Sequence, residues 1–284
     1  MGTSRRTRWV GLVARYAALA PLLILCLLPL VWMFSSSLKS NLEIWAPPAG
    51  LFPRRIHLET YSELFQRTQA GGSYLRWLWN SILVTVPVTI LSIMVSSIAA
   101  YSIARFRFLG RAAFLQTVLI GQMLPAALLV IPLYTMMRTL GLFDTLAGLT
   151  VVYLTFTLPF CIWMLIGFFA SIPRELEEAA MLDGCSHMQA FTRVVVPLAV
   201  PGIAATALYA WLLAWDEFLL ARTLLPTLSN WTLNMGLQAY ITETQISWNL
   251  AMAGGLLMTI PSLLVYLVLQ RYLVTGLTGG AVKG

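Results

Sequence analysis

Charged residues are scarce in this sequence. Asp, Glu, Lys and Arg make up only 10% of its 284 residues, whereas soluble domains usually carry about 25%. Hydrophobic residues account for 59% of the chain, and the mean hydropathy is +0.80. This composition excludes an ordinary soluble domain and favours a chain that lies largely within a membrane.

Cysteine and histidine are also rare. The three cysteines, Cys26, Cys161 and Cys185, are odd in number and widely spaced, so they indicate neither a disulfide framework nor a metal cluster. The histidines are His57 and His187, and the motifs H-E-x-x-H and G-x-S-x-G do not occur. We therefore expect no catalytic residue, no metal ligand and no bound cofactor in this chain.

Lysine occurs only twice, as Lys39 and Lys283. The phosphate-binding motif G-x-x-x-x-G-K-[ST] needs a lysine directly after a glycine-rich loop. Lys39 follows two serines and a leucine, and Lys283 is the penultimate residue, so neither fits the motif. The sequence therefore predicts that this chain does not hydrolyse ATP through such a loop.

Long hydrophobic runs without charge are abundant. Six of them reach the roughly 20 residues that a helix needs to cross a bilayer. They are Tyr16–Leu38, Trp77–Ala104, Ala112–Met137, Thr145–Ile172, Val194–Trp215 and Thr244–Gln270. The first run is longer than the apolar core of a signal peptide and no A-x-A site directly follows it, so we expect it to be retained. The sequence predicts an all-α, polytopic membrane protein with six transmembrane helices.

A seventh charge-free run, Thr223–Thr242, is rich in Thr, Ser, Asn, Gln and Gly. We interpret it as an exposed loop, with a re-entrant loop as the alternative.

The distribution of basic residues predicts the orientation. Six spans place both termini on the same side, and that side then carries eleven of the 18 Lys and Arg residues, against seven on the other. An excess of basic residues marks the cytoplasmic side, so we expect both termini in the cytoplasm. The net charge of +7 is explained by this topology, and we expect no nucleic-acid partner.

Acidic residues concentrate in the predicted cytoplasmic segment RELEEAAMLDGCSHMQAFTRVVVPLAVPG, Arg174–Gly202. Its pattern predicts two short helices. Ser171 is expected to cap the first helix and Pro173 to lie in its first turn. Gly184 is expected to end this helix.

The second short helix is predicted from a capping-box spacing. Ser186 is followed three residues later by Gln189, and Pro197 is expected to end the helix. Ala180 and Gly184 are four residues apart in the first helix, so they share one nearly bare face that another protein could approach closely.

The spacing of these residues resembles the E-A-A-x3-G-x9-I-x-L-P motif of ABC importer permeases. Glu178-Ala179-Ala180 is followed by Gly184 and then by Val194-x-Val196-Pro197, with valines in place of Ile and Leu. Three other segments are similar to those of carbohydrate permeases. They are SSIAAYSIARFRFLGR (Ser96–Arg111), AWDEFLLA (Ala214–Ala221) and GLTGGAVKG (Gly276–Gly284), with Asp216 where the family commonly has Asn.

On these motifs the chain is identified as a member of the carbohydrate ABC importer permeases of type I, similar to the maltose-type second permease subunit. The resemblance implies residence in the bacterial plasma (inner) membrane, contact with membrane lipid, and three partners: a second permease subunit, a nucleotide-binding ATPase dimer and an extracytoplasmic solute-binding protein. ATP and Mg would bind the ATPase. The implied organisation is an N-terminal tail, first span and outer loop (1–72), a core (73–272) with a coupling loop (171–200), and a cytoplasmic tail (273–284).

The resemblance also implies roles for individual residues. A coupling helix would contact the ATPase through Glu178, Ala179, Ala180, Asp183 and Gly184. The substrate pathway would include Trp215, Asp216 and Glu217, of which Glu217 is expected to pair within the complex. The C-terminal tail would contact the ATPase through Val282, Lys283 and Gly284.

The expected substrate is an oligosaccharide, a disaccharide such as maltose or trehalose, or a related polyol. Three alternatives stay open: an importer of glycerol phosphate or another solute, an ATP-independent secondary transporter or channel, and a membrane-embedded scaffold or enzyme. Secondary transporters often show internal repeats, and the two halves of this sequence show no convincing repeat.

Overall fold

The computed structural model describes residues 5–48, 50–69, 72–241 and 246–281. In chain order its first helices are α1 (Arg5–Ser37), α2 (Asn41–Trp45), α3 (Glu59–Gln66), α4 (Tyr74–Arg105), α5 (Arg111–Met123), α6 (Ala126–Thr139) and α7 (Leu146–Ser171). They are followed by α8 (Glu175–Leu182), α9 (His187–Ala190), α10 (Val196–Leu198), α11 (Val200–Asp216), α12 (Leu219–Leu224), α13 (Leu233–Gln238) and α14 (Trp248–Ala281).

Strand structure in the described part of the chain is minor. Two-residue strands β1 (Thr68–Gln69) and β2 (Gly72–Ser73) pair antiparallel. A π-helical turn, Phe191–Val195, joins α9 to α10, and a 3₁₀ turn, Leu228–Asn230, lies between α12 and α13. The expected all-α class is confirmed.

Four helices within the described residues are long and apolar enough to cross a membrane alone, namely α1, α4, α7 and α14. The third and fifth predicted runs are instead broken. Helices α5 and α6 meet at 101°, and the stretch from His187 to Leu198 meets α11 at 77°. The number of spans is six if each bent pair counts as one, in agreement with the six apolar runs.

The third run was predicted as one continuous helix, and the structure corrects this at Pro125. Leu124 has ψ of 121° and Pro125 ψ of 131°, so both residues are extended. A proline disfavours the α conformation of the preceding residue and lacks the N–H that would continue the helix. The break therefore falls where Leu124 meets Pro125.

The prediction that Pro197 ends the second short helix is also wrong. Pro197 lies inside α10, and the chain turns at Ala199, whose ψ is 2°. Pro201, near the start of α11, has no N–H to donate to the carbonyl of Pro197, and its ring would clash with that carbonyl in a continuous helix. The turn therefore lies between the two prolines.

The expectation of an exposed loop at Thr223–Thr242 is wrong for most of that segment. Leu225, Trp231, Leu233 and Met235 are buried. The polar backbone of the segment is satisfied by side chains of α4. Trp77 Nε1 donates to Leu228 O (2.9 Å), Asn80 Nδ2 donates to Ser229 O and Trp231 O (both 2.9 Å), and Ser81 Oγ accepts from Leu233 N (2.8 Å). These bonds allow a polar segment to pack inside the protein.

The chain divides into two compact units. The first comprises Met1–Arg67 and Leu237–Thr259. Within it, Asn41 at the start of α2 bonds to the segment before α14, donating to Ile246 O (2.5 Å) and accepting from Trp248 N (3.0 Å). This unit therefore joins segments that are about 200 residues apart in sequence.

The second unit comprises Thr68–Gly236 and Ile260–Gly284. Its centre is α4, which packs along α7 and α11. Ser92 and Thr157 share a buried hydrogen bond of 2.7 Å between α4 and α7. A hydrophobic cluster surrounds the C-terminal end of α4 and consists of Ala100, Tyr101, Ala104, Leu165, Phe169, Ile172, Phe191, Val195 and Ala199. This cluster supports the segment that contains α8 and α9.

Candidate functional site

Helices α8 and α9 form the acid-rich segment, and the predicted end of the first helix at Gly184 is confirmed. Gly184 has φ of +91°, in the left-handed region that glycine adopts without strain. Asp183 N donates to Ala179 O, and Cys185 N donates to Ala180 O, both at 3.0 Å. These bonds satisfy carbonyls at the end of α8, as in a Schellman-type helix end.

The predicted cap at Ser171 is wrong, whereas the capping box of α9 is confirmed. Ser171 ends α7 and donates to Phe168 O (2.7 Å), and α8 begins only after Arg174. Ser186 Oγ accepts from Gln189 N (3.3 Å), and Gln189 Oε1 accepts from Ser186 N (2.8 Å). Two short helices joined by a tight turn are therefore fixed locally.

The residues expected to form the coupling surface lie close together on the outside of this segment. Glu178, Ala179, Asp183 and Gly184 are exposed, and Ala180 is half-buried. Leu182, between them in sequence, is 90% exposed. A Cβ added at Gly184 would meet no atom within 4 Å. The surface is open in this chain and combines an acid, small residues and an exposed leucine.

Glu177 is a residue of this site that the sequence analysis missed. Its side chain is buried and forms an ion pair with Arg105 Nε. Tyr101 Oη donates to Glu177 Oε2 at 2.9 Å. The sequence carries no local signal for it, because adjacent residues of a helix can both be exposed, as Glu178 and Ala179 are.

At the end of α11 the three predicted pathway residues have different surroundings. Trp215 is only 3% exposed and stacks on Trp211, with ring centroids 5.3 Å apart and an interplanar angle of 14°. Asp216 is exposed, and its backbone carbonyl accepts from Asn234 Nδ2 (2.7 Å). The Trp215 side chain is therefore buried, whereas that of Asp216 is exposed.

Glu217 stabilises the turn after α11. Its carboxylate accepts from Leu220 N (2.8 Å) and Ala221 N (3.0 Å) in the first turn of α12. Tyr153 Oη of α7 also donates to it at 2.7 Å. A carboxylate at the N-terminus of a helix is favoured by the free N–H groups and the helix dipole. Glu217 thus pairs within its own chain.

The tail residues Val282, Lys283 and Gly284 lie outside the described residues. Within the described residues, no group of three or more His, Cys, Asp or Glu side chains is arranged to hold a metal ion.

Comparison with known proteins identifies similar sequences and structures over almost the whole chain. Residues 92–279 match the family described as binding-protein-dependent transport system inner membrane component. The trehalose transport system permease protein SugB of Mycobacterium tuberculosis is 36% identical, with 100% of both chains covered. The diacetylchitobiose uptake system permease protein DasC of Streptomyces coelicolor is 35% identical, over 90% of this chain and 91% of the relative.

A solved structure also matches the fold. It is a chain of a bacterial ABC transporter involved in the import of the acidic polysaccharide alginate, with a TM-score of 0.76 and 25% identity. The match covers 96% of this chain and 99% of the other. The sequence comparison and the structure comparison thus both lead to proteins of transport systems.

Proposed function

The chain belongs to the family of binding-protein-dependent transport system inner membrane components, and we propose that it is the permease subunit that carries a carbohydrate through an ATP-driven importer. The observation that carries this proposal is the exposed segment of α8 and α9, in which Glu178, Ala179, Ala180 and Gly184 stand at the family's motif positions. A rigid, capped pair of helices is suited to transmit movement from another protein to the spans.

ATP hydrolysis is assigned to a partner in this proposal. The sequence has no phosphate-binding loop, and the exposed surface of α8 offers Glu178 to a basic residue and Leu182 to an apolar pocket of an ATPase dimer. ATP and Mg would bind to that dimer. Closure of the ATPase would move α8, and the movement would alternate access to the pathway.

A second permease is the partner proposed for α1. The most hydrophobic 18-residue stretch of this helix contains no buried residue, and the exposed apolar side chains of the helix include Tyr16, Leu22, Leu25 and Phe34. Lipid could cover such a surface by itself. We propose that a second permease, as expected for the family, covers part of it. The family description also names a binding protein. With both termini and α8 on the cytoplasmic side of the membrane, this protein would deliver the solute on the other side of the membrane.

The carbohydrate is proposed from the relatives. The two related permeases are named for trehalose and diacetylchitobiose, and the related structure belongs to an importer of the polysaccharide alginate. Sugars share many hydroxyl groups, which carboxylates accept as hydrogen-bond donors. An oligosaccharide, a disaccharide or a related polyol is the solute class that these observations support.

Reconstitution tests the proposal directly. The chain, its second permease, the ATPase and the binding protein are placed in liposomes, and uptake from a panel of labelled sugars, polyols and glycerol phosphate is measured. We expect uptake of a carbohydrate only when ATP and the binding protein are both present. Uptake by the chain alone without ATP would instead support a secondary transporter, and uptake of glycerol phosphate alone would overturn the carbohydrate assignment.

Asp216 is the proposed contact with the solute, because it is exposed at the end of α11 while Trp215 is buried. The Asp216→Asn variant should transport almost normally, since an amide oxygen still accepts a hydrogen bond. The Asp216→Leu variant should lower uptake several-fold, because one hydrogen bond contributes about 1 kcal/mol. Uptake is measured in complexes that retain normal basal ATPase activity. Equal uptake by the Leu variant and the parent would exclude this role.

The tail is proposed as a second contact with the ATPase, through Val282, Lys283 and Gly284. Deletion of residues 281–284 should lower the ATPase activity or the yield of the assembled complex. Both are measured after purification through a tag on the second permease. An unchanged yield together with unchanged activity would remove the tail from the interface.

A further inference from the structure

Tyr101, Arg105 and Glu177 connect the coupling segment to a specific span. This inference rests on the proposed function. We infer that these three residues form a buried clasp that fixes α8 to the inner end of α4, so that α4 moves together with the surface that contacts the ATPase.

Helix α8 packs against α9 and the π-helical turn, and Glu177 links it to α4. It is only eight residues long, and Glu177 is the residue within it that is buried. Isolated helices of this length are not stable in water, so tertiary contacts must set its position. Both carboxylate oxygens of Glu177 are engaged, one by Arg105 and one by Tyr101. Through the side chain of Glu177, α8 is therefore also attached to α4.

The ends of α4 and α7 are also linked in both directions. Arg105 Nη2 donates to Ile172 O (3.0 Å), next to the end of α7. Arg174, just before α8, donates through Nη2 to Ala104 O (3.2 Å) in the last turn of α4. Carbonyls at a helix C-terminus lack intrahelical partners and are stabilised by arginine side chains. Arg105 thus links α4 to the end of α7, and Arg174 links the start of α8 to α4.

Aromatic packing holds the base of the clasp. The Tyr101 ring lies 4.5 Å from the Phe191 ring in the π-helical turn and 6.3 Å from the Phe169 ring in α7, measured between centroids. The hydroxyl of Tyr101 is thereby aimed at Glu177. The clasp therefore lies between the hydrophobic cluster at the end of α4 and the exposed face of α8 that carries Glu178.

A buried ion pair is a weak source of stability, because removing two charges from water costs about as much as their attraction returns. Apolar residues at both positions 105 and 177 would avoid that cost, whereas replacing Glu177 alone would leave Arg105 as a buried, unpaired charge. The charged network instead fixes the orientation of α8, because Glu177 can contact both Arg105 and Tyr101 in only one orientation. The clasp is therefore a positioning element for coupling.

The test uses the complete complex in liposomes with the Tyr101→Phe, Glu177→Gln and double variants. The measured quantity is the ratio of ATPase activity with the solute-loaded binding protein to basal ATPase activity. We expect this ratio to fall several-fold for Tyr101→Phe, which removes one hydrogen bond, and roughly tenfold for Glu177→Gln, which removes the charge that pairs with Arg105 and weakens the bond from Tyr101. The double variant should be no worse than Glu177→Gln, because both changes break one network.

Arg107→Gln is the matched control, since Arg107 lies two residues beyond the clasp and its side chain is exposed. The ratio should stay normal in this variant. If Glu177→Gln does not assemble, the Tyr101→Phe variant decides the outcome, because it keeps the ring and its packing. A normal ratio in assembled Tyr101→Phe complexes would overturn the clasp.

The same experiment separates this inference from the proposed function. A parent complex that couples ATP hydrolysis to uptake, together with clasp variants that couple normally, refutes the clasp alone. A parent complex whose uptake is independent of ATP refutes the proposed function and the clasp with it.

Discussion

Replacing Glu178 with alanine is expected to lower ATP-driven uptake by roughly tenfold or more while the complex remains assembled. The exposed carboxylate is proposed to pair with a basic residue of the ATPase. A charge-assisted hydrogen bond contributes about 1.5–3 kcal/mol, and 1.4 kcal/mol corresponds to a factor of ten. Removal of this contact should leave α8 in place, because Glu177 holds it from the other side. Uptake and stimulated ATPase activity are measured at equal amounts of complex.

Glu175→Ala is the control for this prediction. Glu175 lies in the first turn of the same helix and is exposed, so the substitution removes an equal charge from α8. It should change uptake by less than twofold, a difference of about 0.4 kcal/mol. A second comparison, Glu178→Gln, separates the loss of charge from the loss of the hydrogen-bond acceptor. Normal uptake by assembled Glu178→Ala complexes would show that Glu178 is not a coupling residue.

A methyl group at Gly148 is expected to destabilise the folded chain markedly. Gly148 lies in the first turn of α7, and its N–H donates to Thr145 Oγ1 at 3.0 Å. A Cβ there would lie closer than 3.0 Å to the carbonyl oxygen of Leu142, a separation that real Cβ atoms essentially never show. The Leu142 segment is itself held, since its carbonyl accepts from Thr145 Oγ1 (2.7 Å) and its N–H donates to Met137 O (2.9 Å). Overpacking of this kind typically costs 1–3 kcal/mol or more.

Gly167→Ala provides a matched control in the same helix. A Cβ at Gly167 would meet no atom within 4 Å, and alanine has the higher helix propensity by about 1 kcal/mol. The yield and the thermal midpoint of the purified protein in detergent should fall for Gly148→Ala and remain equal or rise for Gly167→Ala. Equal midpoints for Gly148→Ala and the parent would mean that the turn before α7 can move aside.

Local features of this protein could be read from the sequence. The stop at Gly184 and the capping box of Ser186 and Gln189 depend on residues within one or two turns of each other, and the apolar runs of spanning length are continuous in sequence, so their pattern is sufficient to predict them. The family motif from Glu178 to Pro197 is equally local. For these reasons the spans, the two short helices and the resemblance were found without a structure.

The positions of the breaks within the spans could not be predicted from the local sequence pattern. Pro87, Pro159 and Pro261 all lie inside continuous helices, whereas the chain breaks at Pro125. The sequence presents each of these as a proline in an apolar run. The presence of proline therefore does not tell which run is interrupted, and the folded chain shows it.

The tertiary structure also decided which polar groups are buried. The stretch from Leu228 to Leu233 packs against α4 because Trp77, Asn80 and Ser81, about 150 residues earlier, satisfy its backbone. Glu177 and Glu178 are adjacent acids that the sequence cannot tell apart, yet one is buried against Arg105 and the other is exposed. The sequence by itself therefore determined the membrane class, the apolar runs and the family motif, because these follow from local composition and spacing. Only the folded chain decided which side chains meet, because burying a polar group requires a partner that is distant in sequence.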